Sequence, residues 1–346
     1  MKLKITLFAI VSLASFSCKK DTIDEPTPTT SFTAEVNGIY ICNEGTFTDG
    51  NATISYTNGT EAETIQDVYK IANDEDLGDV GQSMTKINNK IYIVVNNSSK
   101  IEVVEATTMK KSATITGFNS PRFMIEASPG KAYVTDLYAN GISIVDLSSN
   151  LITGNIQLNG STEDLFLYNG KVYVTNLSTS YLYIIEPTTD ILEDSILIGP
   201  GGNSLQLDMN NKLWVLCGGD YLTSAPGSLH RIDPATKMIE FSQAFPAGDF
   251  PTRLIINETN DELYFLNLNV YKMQITDSSL PTSSFVDAAG KSFYGMAFDR
   301  VSHVLYVSDV IDYQQAGRIY RYDPTGTLLN SLPAGIIPGD FLFLNN

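Results

Sequence analysis

The residues best suited to ligand chemistry lie in stretches that mix aromatic rings with amide, carboxylate and guanidinium groups. Rigid aromatic faces beside a few placed polar groups suit a bulky, amide-bearing or sugar-like ligand. Because the chain has 18 tyrosines in 346 residues, chance alone also puts some of them in loops. The candidate ligand-binding residues are Asn43, Glu44, Phe47, Arg122, Tyr138, Asn176, Tyr181, Asp220, Tyr221, Arg253, Tyr294, Asp312 and Tyr313.

The chain offers little material for catalysis or for a metal centre. It contains only two histidines, His230 and His303, so a three-histidine metal site cannot be built. It has no Gly-rich phosphate loop, Gly-x-Ser-x-Gly elbow or His-Glu-x-x-His motif. We therefore expect no catalytic residue, no metal and no cofactor, and we place both histidines on the surface. A glycosidase-like carboxylate pair, or calcium on Asp220, Asp309 and Asp312, is the open alternative.

Acidic residues outnumber basic ones, with Asp+Glu 39 against Lys+Arg 22 and a formal net charge of −17. A surface this anionic repels phosphate backbones, so nucleic-acid binding is not expected. It equally disfavours electrostatic binding to anionic lipid. Hydrophobic residues make up 43% of the chain, which indicates a globular fold rather than disorder.

The first 35 residues have the composition of an export and anchoring segment. Residues 1–17 join a short basic start to an apolar run too short to span a bilayer, as in a signal peptide. The stretch Ser15-Phe16-Ser17-Cys18 resembles a bacterial lipobox and predicts lipidation of Cys18; ordinary signal cleavage is the alternative. Residues 18–35 predict a flexible, lipid-anchored stalk. We expect an outer-membrane protein exposed at the cell surface, with the lipid as its membrane contact.

The elements that must position the candidate side chains are seven copies of a β-rich run centred on an aromatic residue. The run recurs roughly every 44 residues, which is the length of one four-stranded propeller blade. The seven centres are Tyr40, Tyr92, Tyr133, Tyr173, Trp214, Tyr264 and Tyr306. The sequence therefore predicts an all-β fold, a seven-bladed β-propeller with four-stranded antiparallel blades, as a single domain over residues 36–346.

The two ends of the predicted propeller complement each other. Residues 341–344 form a strand without an aromatic centre, while the run at Tyr40 lacks a strand before it. We expect the last strand to pair into the first blade and close the ring, because closure removes the free sheet edge. No helix longer than two turns is expected.

Five blades carry an acid followed by a proline or a small residue at the turn between their outer strands. Such an acid can bond the backbone of its own turn, so we interpret the set as structural rather than catalytic. The five acids are Glu105, Asp146, Glu186, Asp233 and Asp323. Cys42 and Cys217 fall on equivalent strands of blades 1 and 5, which are not neighbours, and are predicted to be unpaired buried thiols.

The loops of blades 1, 5 and 7 are longer than those of the middle blades. Extra loop length without extra core is usually functional. Only blade 6 separates blades 5 and 7, so we predict a site displaced to one side of the ring. Arg122 and Arg253 each follow a proline at the head of an innermost strand. They could bind an anionic group in the channel mouth or, equally, cap carbonyl groups inside the ring.

Two repeats, Lys131–Asp136 (KAYVTD) and Lys171–Asn176 (KVYVTN), resemble the Tyr-Val-Thr-Asn repeats of bacterial propellers. With residues 38–45, 51–56, 78–84 and 90–96, they resemble an uncharacterised-domain family of surface propeller lipoproteins. The resemblance spans Val36 to Leu344. It implies a lipoprotein found beside a TonB-dependent outer-membrane transporter, and the best understood members of the family capture cobalamin for that transporter.

Three functions compete on this basis. The leading hypothesis is a monomeric, non-enzymatic receptor that captures a small-molecule nutrient, cobalamin or another corrinoid, and passes it to a TonB-dependent transporter. The second is a propeller enzyme that acts on a carbohydrate or a lactone. The third is a protein-interaction platform with the transporter as its natural partner.

Overall fold

A computed structural model describes residues 32–59 and 63–345. The predicted signal peptide at residues 1–17, the predicted lipidation site Cys18 and the stalk up to residue 31 lie outside the described residues. In the first part of the chain the elements are β1 (Ile39–Asn43), β2 (Thr53–Thr57), α1 (Val68–Asn73), β3 (Gly81–Ile87), β4 (Lys90–Val95), β5 (Lys100–Glu105), β6 (Lys111–Thr116), β7 (Pro121–Ser128), β8 (Lys131–Asp136), β9 (Gly141–Asp146), β10 (Leu151–Gln157), β11 (Thr162–Tyr168), β12 (Lys171–Asn176) and β13 (Tyr181–Glu186). The remaining elements are β14 (Ile191–Leu197), β15 (Gly202–Leu207), β16 (Leu213–Cys217), β17 (Ser228–Asp233), β18 (Met238–Ala244), β19 (Thr252–Ile256), β20 (Glu262–Asn267), β21 (Asn269–Gln274), β22 (Phe293–Asp299), β23 (Val304–Asp309), β24 (Ala316–Tyr322), β25 (Leu328–Ile336) and β26 (Pro338–Phe343).

The strands form seven antiparallel sheets, and each sheet is one blade of a propeller. Counted outwards from the central channel, blade 1 is β26-β1-β2, blade 2 is β3–β6, blade 3 is β7–β10, blade 4 is β11–β14, blade 5 is β15–β18, blade 6 is β19–β21 and blade 7 is β22–β25. The first strands of neighbouring blades contact each other around the channel. The predicted seven-bladed propeller is therefore confirmed.

Blades 1 and 6 depart from the four-strand pattern. Within residues 32–59 and 63–345 each has three strands. A single bridging pair stands where the fourth strand would lie, Tyr56 with Ile65 in blade 1 and Val270 with Val286 in blade 6.

The last strand closes the ring as predicted. β26 pairs with β1 in antiparallel register, with Tyr40 opposite Leu342 and Ile41 opposite Phe341. The rings of Phe341 and Phe343 also pack on Tyr306 of blade 7, at centroid distances of 6.1 and 5.4 Å. One strand thus joins the two ends of the chain and ties blade 7 to blade 1.

The second strand of each blade is the buried one because blades pack face to face. β4 is a continuous apolar run whose residues Ile91 to Val95 are all buried, the pattern of a strand covered on both sides. The outermost strand of blade 4, β14, is exposed at nearly every position. Seven apolar clusters, one between each pair of neighbouring blades, form the core.

The structural role predicted for the turn acids is confirmed at four of the five positions. Asp146 accepts the backbone N–H groups of Ser148 and Ser149 at 3.1 and 2.7 Å. The hydroxyl groups of the same serines lower the pKa of Asp146 to about 2. Equivalent bonds close the turns at Glu186, Asp233 and Asp323.

The prediction for the cysteines is confirmed, and the prediction for one histidine is wrong. Cys42 and Cys217 are fully buried and unpaired, and burial raises the pKa of the Cys217 thiol to about 12. His303 is exposed, and its Nδ1 lies 2.8 Å from Oε1 of Glu258. His230 is 6% exposed rather than on the surface. The neighbouring blade still covers the third strand of blade 5, and this burial lowers the pKa of His230.

The folded unit begins before the predicted boundary at residue 36. Phe32 and Ala34 are buried in the cluster between blades 1 and 2, where the Phe32 ring lies 5.0 Å from that of Tyr56. The last residues assigned to the stalk therefore pack on the propeller. Residues 32–59 and 63–345 contain a single helix, α1, of 6 residues, and none in these ranges has the length and apolar composition to span a bilayer.

Ring closure can be tested by truncating one buried aromatic side chain. We expect Phe341→Ala to lower the free energy of unfolding by about 3–5 kcal/mol, because the side chain is lost from a packed core. Phe47→Ala, at a ring that is 66% exposed, should change it by about 0.5 kcal/mol or less. Guanidinium denaturation of both variants is the measurement. Equal midpoints would contradict the stabilising role assigned to β26.

Candidate functional site

Each innermost strand carries a β-bulge near its head, where it has one residue more than the strand with which it pairs. In blade 4, for example, Thr162 pairs with Asn176 but the next pair is Leu165 with Val174. A bulge of this kind re-aims the unpaired side chain. The same shift occurs in all seven blades. The residues that directly follow the first backbone pair of each innermost strand are Gln82, Arg122, Glu163, Asn203, Arg253, Tyr294 and Gly339. We call the six side chains of this set the mouth ring.

An ion pair fixes one side of the mouth ring. Arg122 donates to both carboxylate oxygens of Glu163, from Nε at 2.7 Å and from Nη2 at 2.6 Å. Its Nη1 donates to the side-chain oxygen of Gln82. Gln82 and Glu163 are buried. A bidentate pair of this kind has defined geometry as well as attraction, so three neighbouring blades present one rigid polar surface.

Blade 1 fills its place in the ring with a loop residue. A Cβ on Gly339 would lie 2.6 Å from Oε1 of Glu44, so the missing side chain makes room for that carboxyl group. Glu44 accepts the hydroxyl of Tyr294 at 2.9 Å. Burial raises the pKa of Glu44, and the nearby Arg253 partly offsets this effect.

Aromatic rings lie on the side of the mouth ring opposite the pair of Arg122 and Glu163. The guanidinium of Arg253 lies 5.4 Å from the ring centroid of Tyr294, within the range of a cation–π contact. Tyr313, from the loop after β23, packs edge-on against Tyr294 with centroids 6.0 Å apart. Tyr294 therefore links a loop residue, a cation and the buried Glu44.

Two carboxyl groups lie one position further along the innermost strands. Asp164 accepts the backbone N–H of Leu205, and Asp340 that of Met84, at 2.9 and 2.8 Å. Each bond joins a blade to the next one. Protein surrounds both groups, and this burial raises the pKa of Asp164 to about 7 and that of Asp340 to about 6.

A cavity of about 380 Å³ opens at the mouth ring and is lined by residues of blades 3 to 7. Gly201, Gly218 and Gly219 of blade 5 contribute backbone only, which keeps this side open. Arg122, Glu163, Asn203, Arg253 and Tyr294 supply the polar lining, with Thr252, Phe123, Phe293 and Leu177. In the described part of the chain no three His, Cys, Asp or Glu side chains converge as a metal site requires.

Residues 37–334 match the family described as a domain of unknown function, DUF5074. The chain belongs to this family. No curated protein matches the sequence of this DUF5074 propeller significantly.

Solved structures similar to the DUF5074 propeller share its fold at low sequence identity. A quinonprotein alcohol dehydrogenase-like protein from Bacteroides thetaiotaomicron is 17% identical with a TM-score of 0.69, over 89% of this chain and 78% of that one. A putative 6-phosphogluconolactonase from Bacteroides fragilis is 12% identical with a TM-score of 0.65, over 92% and 99%. A functionally unknown protein from Desulfotomaculum acetoxidans is 11% identical with a TM-score of 0.66, over 89% and 98%. These likenesses support the propeller fold and carry no activity to this chain.

The structure brings five of the sequence-predicted site residues together at the mouth of the DUF5074 propeller. Arg122, Arg253 and Tyr294 belong to the mouth ring, Glu44 bonds to it, and Tyr313 packs against it. The cavity is not confined to the long-loop blades 1, 5 and 7, because the innermost strands rather than the loops supply most of its lining.

Four other predicted residues close local structure instead. Asn43 is buried within blade 1, where it donates to Ser55 Oγ at 2.9 Å and accepts the N–H of Gly335. Asn176 accepts the N–H groups of Ser178 and Thr179 in its own turn. Asp220 and Asp312 likewise accept N–H groups two residues ahead.

The remaining predicted residues lie on the loop face without reaching the cavity. Loops that follow second strands and loops that enter first strands meet there, as the bonds of Glu44 to the backbones of Gly81 and Ile337 demonstrate. We use the name loop rim for seven of the exposed apolar side chains on this face, Phe47, Tyr138, Tyr181, Tyr221, Leu222, Phe250 and Tyr313.

Gln82, Glu163, Asp164 and Asp340 were missed by sequence reasoning. Each lies at the head of an innermost strand, as Arg122 and Arg253 do. A signal was present, because the position that singled out the two arginines recurs in every blade. Counted back from the aromatic centre of the blade, the two arginines lie at 11 residues and Gln82 and Glu163 at 10, so an alignment of the blades that allows a shift of one residue would have found them.

The raised pKa of Asp164 predicts a pH-dependent stability. The folded chain keeps this proton up to about pH 7, whereas the unfolded chain releases it near pH 4, so the free energy of unfolding falls as pH rises between these values. We expect Asp164→Asn to remove this fall, which is at most about 4 kcal/mol at about 1.4 kcal/mol per pKa unit. Guanidinium denaturation near pH 4.5 and near pH 8 is the measurement.

Asp312→Asn is the matched control for this experiment. Hydrogen bonding to Gln315 lowers the pKa of Asp312, so its contribution to stability is lost as pH falls, the opposite direction. Parallel pH dependences for the wild type and Asp164→Asn would contradict the assignment.

Proposed function

We propose that this DUF5074 propeller is a surface receptor that captures a small-molecule nutrient at the mouth of its channel. The preferred ligand is cobalamin or another corrinoid, which the protein passes to a TonB-dependent transporter. The observation that carries the proposal is the cavity of about 380 Å³ lined by the mouth ring. A concave site with a few fixed polar groups is the usual form of a small-molecule pocket.

The site has two layers that suit a large ligand. The cavity of about 380 Å³ is much smaller than a whole corrinoid, so on this proposal it accommodates a projecting side group. The loop rim surrounds it with exposed rings such as Tyr138, Tyr181 and Tyr221, at 72%, 43% and 78% exposure. Flat aromatic faces at low conformational cost are well suited to a broad, partly apolar surface. Contact with both layers is what favours a bulky ligand over a small ion.

The carboxyl groups of the mouth favour binding over acid–base catalysis. Glu163 is held by Arg122, and Glu44 accepts the hydroxyl of Tyr294. Asp164 and Asp340 accept backbone N–H groups of neighbouring blades. A general acid or base must reach the proton it transfers, and these groups are already engaged.

The proposed location at the cell surface rests on the N-terminal sequence. The lipobox-like stretch ending at Cys18 would give a diacylated anchor, and residues 18–31 would tether the propeller above the membrane. The negative net charge of the chain supports a tethered rather than adsorbed protein. A transporter beneath the propeller is then the natural recipient of the ligand.

Co-elution with cyanocobalamin tests the proposal. Purified full chain at micromolar concentration should carry the red chromophore through size-exclusion chromatography. Thr252→Trp should reduce the bound fraction strongly, because Thr252 lines the cavity and is exposed, so an indole there occupies the space of the ligand.

Thr236→Trp is the matched control, since Thr236 is exposed on the turn between β17 and β18, at the opposite face. It should bind like the wild type. Absence of the chromophore from the wild-type peak, or equal loss in both variants, would reject capture of a corrinoid at the mouth.

A further inference from the structure

The two arginines of the mouth ring differ in how many of their donors are used. Arg122 donates from Nε, Nη1 and Nη2 to Glu163 and Gln82. Arg253 lines the same cavity, but its guanidinium has no hydrogen bond or ion pair to any of the described residues. The guanidinium carbon of Arg253 lies 5.4 Å from the centroid of the Tyr294 ring. The donors of Arg253 are therefore free toward the cavity.

The backbone of Arg253 is also distinct from its equivalents. Its φ is +58°, in the left-handed region, whereas the other five side chains of the mouth ring stand at ordinary φ. A residue with a Cβ is held in this region only where its surroundings enforce it, and such positions cluster at functional sites. The unusual backbone conformation thus occurs at Arg253, the partly buried arginine of the mouth ring that does not pair with a neighbouring blade as Arg122 does.

The carboxyl groups near Arg253 are hydrogen-bonded to other groups and leave its N–H donors unused. Glu163 is paired with Arg122, and Glu44 is bonded by Tyr294. The remaining carboxyl groups within electrostatic reach, Asp164 and Asp340, bond to backbone N–H groups. Burial raises the pKa of Glu44, Asp164 and Asp340, so each carries less negative charge near neutral pH than an exposed carboxylate would. A guanidinium with unused donors in a low-dielectric opening is thus available to an acceptor from solution.

We propose that Arg253 binds an anionic oxygen group, a carboxylate or a phosphate, on the ligand that enters the mouth. This inference rests on the proposed function, because it assumes that the mouth is the binding site. A guanidinium presents parallel N–H donors that match both groups in bidentate geometry. The ring of Tyr294 beneath the guanidinium, with Tyr313 packed against Tyr294, favours a ligand whose anionic group is attached to a flat or apolar body.

Small probes separate charge from shape. Acetate and acetamide have nearly the same size, but acetate alone is charged at pH 7. Ligand-observed NMR titration of the full chain should show acetate bound about tenfold or more tightly than acetamide, as expected for a charge-assisted bond. Inorganic phosphate is titrated in parallel, and whichever anion binds more tightly identifies the group as carboxylate or phosphate.

Arg253→Gln should reduce the affinity for both anions about tenfold or more and leave acetamide unchanged. Glutamine keeps the stem and a polar end, and thermal unfolding checks the fold. Arg300→Gln is the matched control, because it removes the same charge from an exposed turn between β22 and β23, and it should bind like the wild type. Glu163→Gln, which frees Arg122, should strengthen anion binding.

Equal acetate affinity in the wild type and Arg253→Gln would overturn the inference, as would equal binding of acetate and acetamide or no saturable binding of either anion. If Arg253→Gln does not fold, an unchanged acetate affinity in Thr252→Trp, which fills the cavity beside Arg253, would overturn it. Other outcomes test the proposed function independently of the anion site. Loss of cyanocobalamin binding with intact acetate binding rejects the corrinoid and keeps the anion site. Intact cyanocobalamin binding in Arg253→Gln rejects the anion site and keeps the receptor.

Discussion

The antiparallel pairing of β26 with β1 is the interaction on which the mouth of the propeller depends. It satisfies two strand edges that would otherwise be open, and it brings the last described residues of the chain against the first strand. The bulge at Gly339 then leaves room for Glu44, and the carboxyl group of Asp340 reaches the backbone of blade 2. Closure therefore brings Gly339 and Asp340, from the end of the chain, beside Glu44 from its start.

The same bulge in all seven blades explains how a nearly symmetric scaffold produces an asymmetric site. Bulging fixes where one side chain per blade is aimed, but it does not fix which residue is there. Blades 3 and 4 use the position for the ion pair of Arg122 with Glu163, and blade 1 leaves it to glycine. A buried ion pair of this kind is weak evidence for stability because desolvation opposes it. Its structural consequence is to hold Gln82, Arg122 and Glu163 in one arrangement.

Much of the fold could be predicted from the sequence because its signals are local and repeated. The aromatic centres mark buried strands, and acids such as Asp146 mark turns whose bonds lie within three residues. The candidate site was predicted only in part, since its geometry depends on distant residues. Nothing near Glu44 in the sequence reveals that Gly339 makes room for it. His230 was misplaced for a similar reason, because its burial comes from the neighbouring blade.

The loop rim and the mouth are physically coupled through one pair of rings. Tyr313 is 48% exposed on its loop, and its edge-on contact reaches Tyr294, whose hydroxyl bonds Glu44 and whose face carries Arg253. A ligand that moves Tyr313 therefore acts on the group that orients both a carboxyl group and a free guanidinium. Proteins 11–17% identical to this chain show the common scaffold and nothing of a ligand. If the mouth is the binding site that we propose, the fold determines where a ligand meets the protein, and the side chains at the bulges together with this contact determine which ligand it is.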